Sequence, residues 1–185
     1  MMFGVLGRAF VLALLLLSHT IAYAHSLPGS ILTFSEQGER LNLSIQFALE
    51  DLIIAAPVFK ALETASLEQA LSGEPLEQLA NYLETHLQLA SESKRLPFKL
   101  SSALIERVNT GNLLPVVLVS ARLDFPMPEG GRVLPLTLTY DALMHEIRSH
   151  RASVYWKQDD TLVRIADFGF KRINGKAPRY WLKAP

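Results

Sequence analysis

Beyond the first two dozen residues the chain carries His25, His86, His145 and His150, and it has no cysteine anywhere. Neutral imidazole is the commonest nitrogen ligand for copper, nickel and zinc, and it is also the usual general base. Without thiols there can be no disulfide, thiolate metal site, lipoprotein anchor or cysteine nucleophile. Histidine and carboxylate therefore bound the chemistry open to this chain.

Two of the histidines lie in the stretch YDALMHEIRSHR, Tyr140 to Arg151. It has the residue types of the zinc-protease motif HExxH but not its spacing. That motif needs histidines four apart, on one face of a helix. His145 and His150 are five apart, so a helix would set them about 140° apart and a strand would send them to opposite faces. They can meet one ion only if the backbone turns between them. Met127 and Met144, without a repeated spacing, read as packing residues rather than copper ligands.

Other reactions find less support. No GxSxG elbow presents a serine nucleophile, and Ser30, Ser101, Ser102 and Ser153 all stand in strand-like surroundings. Glu50-Asp51, Asp124 and Asp159-Asp160 lie beside strand ends and turns, where solvated acids are expected. There is no phosphate-binding loop and no dinucleotide fingerprint. The sequence thus points away from an enzyme.

His25 stands apart because of what precedes it. The chain opens MMFGVLGRAFVLALLLLSHTIAYA, with Arg8, an apolar run from Phe10 to Leu17, and the small pair Ala22 and Ala24. These are the features of a cleaved signal peptide, with the cut expected after Ala24. A spanning helix would want about 20 consecutive apolar residues. Cleavage would make His25 the first residue, and its amine and imidazole could then chelate one Cu or Ni ion. The expected location is periplasmic or extracellular. Residues 25–185 should form a single domain, long enough to hold a core without disulfides.

The whole chain has 18 basic and 18 acidic residues. That balance gives no electrostatic case for nucleic acid. A basic stretch near the end, Lys171, Arg172, Lys176, Arg179 and Lys183 around Tyr180 and Trp181, reads as a solvated last strand and tail. No second segment is apolar enough to cross a membrane.

The elements that must position these residues are mostly strands. Leu41, Leu43, Ile45, Phe47 and Leu49 alternate with polar or small residues, the period of a half-buried strand. A short strand over 30–35 and a turn at Gln37-Gly38-Glu39 make an opening hairpin. Further strands are predicted over 97–108, 116–125, 133–140, 152–157 and 161–168, the last two joined at Asp159-Asp160. A helical insertion is predicted at about 62–91. It comprises a short helix from the capping box Ser66-Leu67-Glu68-Gln69 and a second from Leu76 to about Ala90. The expected fold is an antiparallel, Ig-like β-sandwich with that insertion; an α+β roll is the alternative.

Three stretches together, AHSLPGSILTF, FALEDL and LPLTLTYDALMHEIRSHRASVYW, resemble the extracytoplasmic N-terminal domain of HupE/UreJ-like membrane proteins. These are hydrogenase and urease accessory proteins linked to nickel or cobalt handling. The matching positions are His25, Asp51-Leu52, Tyr140-Asp141, His145 and His150. Members of that family continue into transmembrane helices, whereas the expectation here is the exported module alone. The resemblance implies an envelope accessory module with a metal held by His25 and by His145 or His150. The competing expectation is a non-catalytic domain that docks a membrane or envelope partner, with the histidines structural.

Overall fold

The computed structural model describes residues 29–109, 115–128 and 133–183. They form a β-sandwich with short helical segments between its strands. The larger sheet runs β5 (Lys99–Val108), β6 (Val116–Pro126), β2 (Arg40–Ala48), β1 (Ser30–Gln37), β8 (Arg151–Gln158) and β9 (Thr161–Gly169). The smaller runs β10 (Arg179–Leu182), β7 (Leu136–Tyr140), β3 (Leu87–Ser91) and β4 (Lys94–Leu96).

The alternating row of β2 supplies the centre of the core. Leu41, Leu43, Ile45 and Phe47 are buried, while Ser44 on the opposite face is exposed. They join Leu136, Leu138 and Tyr140 of the smaller sheet in one apolar cluster. Each such side chain contributes about 1.5–3 kcal/mol on burial. The predicted turn is a two-residue loop between Gln37 and Arg40, with Gly38 at φ 58°. Gln158 and Thr161 pair across Asp159-Asp160, and Asp159 adopts φ 53°.

The pairing departs from an all-antiparallel sandwich at one place. β1 and β8 run parallel, with Ser30 opposite Ala152 and Phe34 opposite Trp156. Both strands start at the same end of the sandwich. There Gly29 lies so close to the Arg151 carbonyl that a Cβ would sit 2.3 Å from it. Only glycine permits that approach, which fixes where the chain enters β1.

The helical region starts earlier and ends earlier than predicted. β2 runs directly into α1 (Leu49–Ala55), followed by a 3₁₀ helix (Pro57–Thr64) and then by α2 (Glu74–His86). The short helix predicted to start at the Ser66-Leu67-Glu68-Gln69 capping box does not form. Glu68 takes φ 60°, and the Glu68 and Leu71 amides donate to the Ile105 and Ala103 carbonyls. The unpaired edge of β5 outweighs the local capping signal, because open edge groups need partners. Beyond His86 the apolar spacing changes to two, Leu87 and Leu89 facing inward, and the chain continues as β3. No helix among the described residues is long and apolar enough to cross a membrane.

Candidate functional site

The chemistry-bearing residues gather in two places. The first is at the end of the sandwich where β1 and β8 begin. Asp51, in the first turn of α1, places Oδ2 3.0 Å from His150 Nδ1. His150 directly precedes β8, and its Nε2 receives the Ser30 backbone N–H at 3.0 Å. That ring nitrogen is therefore an acceptor, and Nδ1 carries the proton that Asp51 accepts. The Ser30 hydroxyl lies 2.8 Å from the same Nε2, and the Tyr140 hydroxyl donates to Ser30 Oγ at 2.7 Å. Every proton in the chain Tyr140, Ser30, His150, Asp51 points towards the carboxylate.

The connectivity is that of a serine, histidine and aspartate triad, but its setting is different. Ser30 is only 1% exposed, and His150, Asp51 and Tyr140 are buried around it. A nucleophile needs a carbonyl within reach, and the packed core leaves no approach to Ser30 Oγ. Burial pushes the Tyr140 hydroxyl far above the usual phenol range, with the hydrogen bond to Ser30 opposing it weakly, so it stays a donor. Chemically the arrangement is a clamp. It ties α1, β1, β7 and the approach to β8 together through satisfied buried polar groups.

The second cluster lies between the end of α2 and the turn after β7. His86 Nδ1 is 2.8 Å from Asp141 Oδ1, and Arg172 Nη2 is 3.2 Å from Oδ2. The Asp141 amide also donates to the His86 carbonyl. His145 sits one turn on, Nδ1 3.3 Å from the Asp141 carbonyl, its ring stacked on His86 with centroids 4.1 Å apart and planes 14° apart. Tyr82 packs against both rings and accepts the Leu143 N–H. Burial raises the Asp141 carboxyl. The His86 hydrogen bond and the charges of His86, Arg172 and His145 together outweigh it and hold the group below the ordinary carboxylate range.

The three predicted ligands are not brought together within the described residues. His25 lies outside them. His150 has both ring nitrogens hydrogen-bonded, so it could bind an ion only by giving up the clamp. Among the described residues nothing hydrogen-bonds Nε2 of His145 or His86, but lone pairs lie in the ring plane, and near-parallel rings 4.1 Å apart do not aim at one ion. Among the described residues no three metal-binding side chains converge.

Three assignments change. Asp124, expected as a solvated acid, lies within β6 with its side chain 18% exposed and Oδ1 buried, because the strand runs on past it to Pro126. Asp51, expected as a solvated acid at a strand end, is buried, because β2 passes straight into α1 and the first helical turn carries it inward. His86, expected as a helix-flank residue, forms half of a stacked pair. Only the pairing of distant segments reveals these contacts, and the sequence signal was limited to the joint occurrence of the acidic-leucine and Tyr-Asp stretches. The chain matches no model of a known protein family and no curated protein.

Proposed function

We propose that this chain is an exported envelope accessory module that works by docking a partner protein, with no catalysis of its own. The observation that carries the reading lies on the open side of the sandwich, where β9 and β10 are the edge strands of their sheets. Phe168 and Tyr180 stack across that gap, 3.9 Å apart. A groove of about 440 Å³ beside them is lined by Arg148, Arg151, Lys171 and Tyr180, with no acidic residue in its wall. Trp181, on the outward face of β10, is 67% exposed, and Ile173 is exposed nearby in sequence. Large exposed apolar side chains with cations and unpaired strand edges are the features of a docking side. The leader and the HupE/UreJ-like stretches support placement in the envelope.

The test is site-specific photocrosslinking in cells from positions 171 and 181, with position 44 on the opposite sheet face as control. A discrete crosslinked envelope protein at 171 and 181 but not at 44 supports the reading. Only monomer at all three would overturn it.

A second reading keeps a transition metal, Cu or Ni, bound by the amino-terminal His25 and by His145. The observation in its favour is that the His145 Nδ1 meets a backbone carbonyl while no described residue hydrogen-bonds Nε2, as in histidines that ligate metals. Calorimetric titration of processed protein with Cu(II) or Ni(II) tests it. Equal affinity in His145→Ala and in a variant with one extra N-terminal residue would remove this reading without touching the first.

A further inference from the structure

A separate groove lies on the outer face of the larger sheet, away from both histidine clusters. It encloses about 340 Å³ and is lined by Gln37, Arg40, Asn42, Ser101, Ser102, Arg122 and Asp124. Every lining residue is polar or charged, which is unusual for a concavity on a sandwich face.

Two of the side chains that line it carry an unsatisfied atom with almost no exposed surface, so a ligand reaches these atoms by displacing neighbouring side chains. Asn42 is 5% exposed, and its Nδ2 has no hydrogen-bond acceptor. Its Oδ1 is used, accepting from Arg122 Nη2 at 3.3 Å. Asp124 Oδ1 is also buried without a hydrogen bond; Arg122 Nε is its nearest cation at 3.8 Å, beyond bonding range. These are the buried side-chain atoms left unpaired among the described residues, and they belong to one groove. Asn42 and Asp124 face each other directly across β2 and β6.

An orphan donor beside an orphan carboxylate acceptor selects a particular chemistry. An anion would suit Asn42 and the arginines but would meet the Asp124 carboxylate. A cation would suit Asp124 but would meet Arg40 and Arg122. A hydroxyl group satisfies both, accepting from Asn42 Nδ2 while donating to Asp124 Oδ1. Single waters could do the same, but the groove has room for far more than the roughly 30 Å³ one water takes. An adjoining groove of about 650 Å³ shares Arg40 and Asp124 and adds Pro126, Met127 and Pro128, apolar surface for the carbon face of a sugar ring. We infer that this face binds a neutral polyhydroxylated ligand, a carbohydrate, with Asn42 and Asp124 bridging one hydroxyl. The inference stands on residues that the docking reading does not use.

The probes are maltotriose, cellotriose and chitotriose, with sodium sulfate as the anion control. They are titrated into the processed protein and followed through its backbone amide resonances. At least one sugar is expected to give saturable shifts on β2, β5 and β6. Asn42→Asp, which removes the orphan donor, and Asp124→Asn, which removes the carboxylate, should each weaken binding by about tenfold or more. Both are near-isosteric, so unchanged resonances elsewhere report a retained fold. Displacement of the sugar by sulfate would instead assign an anion site to Arg40 and Arg122. That outcome, shifts that both variants leave intact, or no saturable response to any of the sugars, overturns the inference.

Discussion

Among the described residues are two histidine–aspartate pairs built from the same groups at nearly the same distance, and they do different work. Asp51–His150 spans 3.0 Å with side chains 9% and 3% exposed; Asp141–His86 spans 2.8 Å with side chains 18% and 17% exposed. In the first, water is excluded and each ring nitrogen has a fixed partner in the protein. In the second, the carboxylate divides itself between His86 and Arg172, and both members of the pair keep some contact with solvent. Environment, not residue type, separates a clamp from an adaptable surface cluster. Removing half of a buried pair leaves a charge or donor with nothing to replace the loss, whereas water repairs an exposed pair.

The largest effect should therefore come from His150→Ala. It strands the Asp51 carboxylate and the Ser30 amide together in a dry site, an expected loss of about 3–5 kcal/mol. Urea unfolding followed by circular dichroism measures it, and a loss below about 1 kcal/mol would place this pair in the same class as the exposed one. Tyr140→Phe comes next. It removes one donor and leaves Ser30 still bonded to His150, so about 1 kcal/mol is expected from the same unfolding curves. A cost as large as that of His150→Ala would mean that Tyr140, not the Asp51–His150 hydrogen bond, anchors the clamp.

Much of this scaffold was legible in the sequence, because the period-two row Leu41 to Phe47 survives any tertiary arrangement that buries one sheet face. The same local logic failed at Ser66 to Gln69, where a capping signal met an unpaired strand edge and lost. It failed again at Leu87, where a helical stripe passed into a strand without a glycine or proline to mark the change. The clamp was less legible still. Ser30 and Asp51 sit about a hundred residues from the stretch that holds Tyr140 and His150, and what unites them is the parallel pairing of β1 with β8, which no local pattern announces. The orphaned Asn42 amide was invisible for the same reason, since it stands at a polar position of an alternating strand like any solvated asparagine.

His86→Ala sharpens the comparison from the exposed side. It removes the hydrogen bond to Asp141 and the stack on His145, yet Arg172 stays on the carboxylate, and the partly exposed site lets solvent take up part of the loss. A loss under about 1 kcal/mol is expected in the urea assay that reports on His150→Ala. A loss of 3 kcal/mol or more, on the scale of about 3–5 expected for a buried pair, would show that the second cluster is a clamp too.

The smallest effect, and the one with a pH signature, belongs to Asp141→Asn. The amide keeps an acceptor for His86 but loses the charge that Arg172, His86 and His145 hold in place, so at neutral pH a few tenths of a kcal/mol is expected. The sign with pH follows from the direction of the shift. The folded-state carboxyl titrates below its unfolded value of 3.8, so its contribution is complete above that value and is lost as pH falls through the lower, folded one. Wild type and Asp141→Asn should therefore differ by a constant amount at mildly acidic and neutral pH. Their unfolding free energies should converge as the pH is taken below about 4. Denaturation curves of both proteins across that range measure the difference. If the gap widened on acidification, the carboxyl would have to be raised on folding. Burial would then prevail over its cationic neighbours.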